Sequence, residues 1–108
     1  MLIHWIWFAT RTGMGDKTKS VLLSHFEDPE AIYFAPEPEL ERFEDLSPAA
    51  VESLMEKELR ECERILDRCR EQGIHILTFQ DAAYPARLKN IPDPPMVLYY
   101  KGTSPAFD

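Results

Sequence analysis

The sequence predicts a mostly α chain, a small helical bundle followed by a short two-stranded β segment. Three observations predict it. Before Gly73, apolar residues recur every three or four positions, the period of a helix with one buried face. Glycine and proline punctuate that region where helices stop and restart. After Gly73 the apolar residues alternate, which is the two-residue period of a strand. The chain accordingly divides into a helical module over residues 1–73, a strand and proline-rich segment over 74–102, and a linker or frayed end over 103–108.

Residues 2–12 form the first predicted helix. Leu2, Ile3, Trp5, Ile6, Phe8 and Ala9 cover more than one stripe, so this helix is expected to be buried on most sides or to face a partner. Trp7 lies off the main apolar face and is the residue expected to be left for that partner. Gly13-Met14-Gly15 breaks the helix, because glycine supplies the positive φ needed past a helix end. Asp16 is the expected N-cap of a second helix through Phe26, with Val21, Leu22 and Phe26 buried.

Asp28 caps a third helix and Pro29 takes its first position, so that Ala31-Ile32-Tyr33-Phe34 packs. Pro36 and Pro38 separate it from a turn around Leu40 and Phe43. Ser47-Pro48 opens the longest predicted helix, continuous to about Gln72 and ended by Gly73. Val51, Met55, Leu59, Cys62, Leu66 and Cys69 form its apolar stripe. Glu56 with Arg60, Glu61 with Arg64 and Asp67 with Arg70 are placed to pair on its exposed face.

Beyond Gly73, Ile74, Ile76 and Thr78 alternate with His75, Leu77 and Phe79 in a predicted strand. Tyr84-Pro85 fixes a turn, and Pro92-Asp93-Pro94-Pro95 excludes helix and serves as a stiff connector. Val97-Leu98-Tyr99-Tyr100 is the second strand. An isolated pair of strands is marginal in water, so the pair is expected to lean on the bundle or on another chain.

Charge restricts partners. Formal net charge is −7, but residues 1–26 balance to +2, residues 27–72 to −9 and residues 73–108 to zero. A polyanion binds by releasing counterions to a positive surface, so the middle of the chain is a poor nucleic-acid binder and only the first quarter tolerates a phosphate. Cys62 and Cys69 stand seven residues apart on a helix, a rise of roughly 10 Å that no disulfide spans. No histidine lies at ligand spacing from either, so no metal site is expected. The apolar opening lacks a basic flank and is too short to span a bilayer, and the chain reads as cytoplasmic.

One segment offers a route to a ligand. Gly13 and Gly15 followed by a helix leave backbone N–H groups at the positive end of a helix dipole. Gly13, Gly15, Lys17, Thr18 and Lys19 are therefore the candidate nucleic-acid contacts, and Trp7 is the candidate protein contact. Asp16 opposes a phosphate there, and Lys17 and Lys19 diverge by about 200° around the helix. A plain αα-turn that needs its glycines only to reverse the chain stays open beside the phosphate cradle. Scattered histidines and serines without a neighbouring base form no catalytic set, so neither an enzyme nor a cofactor is expected.

The residues Leu77-Thr78-Phe79, Asp81, Tyr84-Pro85, Leu88, Ile91, Asp93-Pro94-Pro95 and Leu98-Tyr99-Tyr100-Lys101-Gly102 resemble the DprA/Smf family of DNA-processing proteins. The helical half is similar to that family's SAM-like, helix-hairpin-helix-like module at Gly13, Gly15, Leu22-Leu23, Phe26 and Pro29-Glu30-Ala31. The resemblance implies a cytoplasmic protein that binds single-stranded DNA and promotes loading of a RecA-type recombinase in natural transformation. It implies that the main DNA-binding surface belongs to a Rossmann-like domain, of which residues 74–102 would be only the approach. Two functions follow for this chain: an accessory nucleic-acid module acting through the residue 13–19 hairpin, or a protein-interaction or spacer module that binds no nucleic acid itself.

Overall fold

A computed structural model describes residues 1–92 and 94–102, so the expected linker at 103–108 lies outside the described residues. The helices are α1 (Leu2–Ala9), α2 (Asp16–His25), α3 (Pro29–Tyr33), α4 (Glu37–Glu41), α5 (Pro48–Leu54) and α6 (Arg60–Gln72). Strand β1 (Ile74–Thr78), the short helix α7 (Ala86–Lys89) and strand β2 (Val97–Lys101) follow. The mostly α chain with a two-stranded sheet is as the sequence predicts. Among the described residues, no helix is long and apolar enough to cross a membrane.

Helix α1 is the centre of the core. Trp5, Ile6, Trp7 and Phe8 are all buried, and the helix packs against α3, α6 and β2. It stops at Ala9 rather than Thr12, because the Trp7 carbonyl accepts from the Thr10 hydroxyl and Arg11 Nε, each at 2.9 Å. In α2 the N-cap is Gly15, and Asp16 is the first helical residue instead of the cap. Lys19, Leu22, Leu23 and Phe26 form the buried face, a helical spacing that leaves Val21 outside it and 40 % exposed. The Asp28 carboxylate caps α3 through the Ala31 amide at 2.9 Å, and Ser47 caps α5 through Ala50 at 3.1 Å, both as the sequence suggests.

The long helix expected from Ser47 to Gln72 is two helices. Residues 55–59 interrupt it because other elements claim the carbonyls a helix would use. Trp7 Nε1 donates to the Glu56 carbonyl at 2.7 Å, Arg11 Nη1 to the Ser53 carbonyl at 2.9 Å, and Lys57 Nζ to the Leu54 carbonyl at 2.7 Å. The Tyr33 hydroxyl donates to the Lys57 carbonyl at 2.6 Å, and Lys57 Nζ returns to the Tyr33 carbonyl at 2.6 Å. The Glu56 carboxylate accepts from the Glu58 amide, so the expected Glu56–Arg60 pair is replaced, whereas the Glu61–Arg64 and Asp67–Arg70 pairs form. The interruption rotates the stripe: Leu54 is fully buried, while Met55, Leu59 and Leu66 are only half-buried.

Gly73 ends α6 in the left-handed region at φ 66°, and its amide donates to the Cys69 carbonyl. The strands then pair antiparallel, with Ile76 opposite Tyr99 and Leu77 opposite Leu98. Asp81 fixes the turn after β1 by accepting from the Thr78 amide at 2.7 Å, and the Tyr84 hydroxyl clasps the connector through the Pro95 carbonyl at 2.7 Å. Met96 and Val97 join the same buried cluster as Trp5 and Ile6, so the sheet leans on the bundle. Burying each such apolar side chain contributes on the order of 1.5–3 kcal/mol.

Candidate nucleic-acid interface

The hairpin between α1 and α2 is built against α5. Gly13 has φ 82°, and a Cβ there would stand 2.9 Å from the Ala50 nitrogen and 3.1 Å from the Ala49 carbonyl carbon. Only glycine meets both demands, the positive φ and the close backbone approach. The Thr12 amide donates to Ser53 Oγ at 2.9 Å, tying the incoming strand of the hairpin to the same helix. Gly15, in contrast, has φ −85°, which any residue adopts.

The candidate residues diverge. Lys17 is exposed and Thr18 half-buried, both in the first turn of α2. Lys19 points inward: it is 4 % exposed, and Nζ donates to the Ala9 carbonyl at 3.0 Å and lies 3.8 Å from Asp16 Oδ1. Burial pushes its ammonium below the ordinary lysine value, and the Asp16 carboxylate opposes that shift. A lysine amine at the end of α1 satisfies a carbonyl that the helix leaves open, favoured by the negative end of the dipole. Its charge serves the fold.

Trp7, expected to be left for a partner, is instead fully buried. Its ring has two cations over it, the Arg11 guanidinium and the Lys57 ammonium, each 5.1 Å from the ring centre. Burial lowers the pKa of both cations from their ordinary values, and the Arg11 charge pushes Lys57 further in that direction. Sequence patterning missed this cluster because Arg11, Tyr33 and Lys57 come from three separate segments. Beside the hairpin a cleft of about 480 Å³ is lined by Thr10, Arg11, Thr12, Ala49, Glu52, Ser53 and Glu56. Glu52 and Glu56 among these add negative charge beside the hairpin.

The arrangement offers an uncapped helix start and the Lys17 ammonium, set against Asp16, Glu52 and Glu56. Among the described residues no cluster of His, Cys, Asp and Glu could hold a metal ion.

The second distinctive unit is the β1–turn–α7–connector–β2 segment, whose Asp81 and Tyr84 clasps are described above. No curated protein and no solved structure matches the chain. Residues 75–108, which take in this segment from its second residue onward, match the sequence profile of a family described as DNA recombination-mediator protein A.

Proposed function

We propose that this chain is an accessory module of a DNA-processing protein of the DprA/Smf type that acts in recombination by binding rather than by catalysis. The observation that carries this reading is the family match over residues 75–108, on a segment held as a unit by Asp81 and Tyr84. Single-stranded DNA binding and the loading of a RecA-type recombinase belong, on this reading, to the whole protein. The helical part contributes at most a single phosphate contact, through the first turn of α2 and Lys17. The inward Lys19 and the packed Gly13 favour a hairpin whose first duty is structural, and so favour a protein-facing or spacer role for the helices.

The test is fluorescence anisotropy of a labelled oligo-dT with this chain at low salt. Lys17→Glu should abolish whatever binding is present, and Asp16→Asn should strengthen it. Unchanged affinity in both variants would place the nucleic-acid contact elsewhere.

A further inference from the structure

Residues 27–45 hold eight acids, namely Glu27, Asp28, Glu30, Glu37, Glu39, Glu41, Glu44 and Asp45, against the single base Arg42. This short stretch therefore carries a charge equal to that of the entire chain, −7. It forms α3 and α4, and between them stands Phe34, 69 % exposed. The other Trp, Tyr and Phe rings of the bundle are buried or half-buried. The Phe34 ring is held in place by Tyr33 at 5.1 Å and by His4 at 5.9 Å between ring centres. Asp28 and Glu30 are engaged, the first as the α3 cap and the second with the Met1 ammonium. Glu27, Glu37, Glu41, Glu44 and Asp45 are exposed. Beneath the patch, His4 is 6 % exposed and its Nδ1 has no hydrogen-bond partner among the described residues.

We infer that the α3–α4 lobe is a docking surface for a basic protein segment, with Phe34 as the anchor that enters an apolar pocket of that partner. The inference rests on the protein-facing reading above and replaces Trp7 with Phe34 as the contact residue. An exposed aromatic held by neighbouring rings loses little freedom on binding, which is why such residues dominate interface energetics. The acidic surround selects among occupants: it repels a nucleic acid and a second copy of this chain, and it steers a basic surface in.

The probe is a short amphipathic peptide of leucine and lysine, compared with its glutamate-for-lysine counterpart, a lysine–glycine peptide and oligo-dT, each titrated calorimetrically. The leucine–lysine peptide should bind best. Phe34→Ala should weaken it roughly tenfold or more, and Glu37→Lys with Glu41→Lys should do the same. Val21→Ala, at an exposed apolar position on α2, should leave it unchanged. Equal binding by wild type and Phe34→Ala, equal binding of the lysine–glycine or glutamate peptide, or Phe34-dependent binding of oligo-dT would overturn the inference. Loss of oligo-dT binding in Lys17→Glu with peptide binding intact would separate this surface from the hairpin.

Discussion

At the residue scale, a few side chains and one glycine decide what the hairpin is. Gly13 was legible as a necessary glycine, since the sequence places it just past a helix, but its reason is tertiary: the α5 backbone lies against it. Gly13→Ala should cost on the order of 1–3 kcal/mol, the cost of a strained left-handed residue. Gly15→Ser should be neutral or stabilising by a few tenths of a kcal/mol, because it gives α2 a capping side chain. Equal losses in urea denaturation would show that the two glycines do the same job. Lys19 was not legible as a core residue, because a lysine in a basic helix reads as solvated. Its long apolar stem and the open carbonyl of Ala9 make the inward position possible. His4 carries a pH signature. Burial, with the N-terminal ammonium adding to it, holds its pKa below the ordinary 6.5, against the pull of Glu30 and Asp28. The unfolded chain then binds the extra proton first, so stability is full above pH ~6.5 and is lost as pH falls through the folded-state value. Thermal melting should show this fall, and His4→Phe, which keeps the ring packing, should flatten it. An identical pH slope in both proteins would remove His4 from the account.

At the element scale, the starts of α3 and α5 were written in the sequence, whereas the interruption at residues 55–59 and the restart of α6 were not. Asp28-Pro29 and Ser47-Pro48 carry local capping chemistry that needs no distant partner. Glu56, Lys57, Glu58 and Leu59 are good helix formers, and local propensity favours continuing through them. Trp7, Arg11 and Tyr33 override that preference from elsewhere in the chain by taking the carbonyls. The apolar stripe read from the sequence is consequently broken after Val51: Met55, Leu59 and Leu66 are half-buried, while Cys62 and Cys69 stay in the core. Leu54→Ala should cost about 2–5 kcal/mol, as expected for a fully buried leucine, and Leu59→Ala distinctly less. The reverse order in chemical denaturation would restore a continuous helix with Leu59 at its buried seam. The strands were legible throughout, because their alternation is local and their ends are marked by Gly73 and the proline connector.

At the scale of the whole molecule, charge and shape separate two surfaces. The glycine hairpin sits in the first quarter of the chain, whose balance is +2, but buried Lys19 removes one of its three bases from the surface. The α3–α4 lobe concentrates acid around Phe34. The segment over residues 75–108 was recognisable because its prolines, Asp81 and tyrosines fix a particular turn and connector. The helical half offered only spacing, and spacing is silent about which lysine turns inward. The most direct test of the claim that this chain grips at most one phosphate is the salt dependence of its affinity for oligo-dT. Single strands give a slope of log K against log salt of about −0.7 per phosphate neutralised, so the expected slope is no steeper than about −0.7, with affinity at physiological salt no tighter than ~10⁻⁴ M. A slope near −2 or steeper, or micromolar affinity that persists at physiological salt, would contradict it.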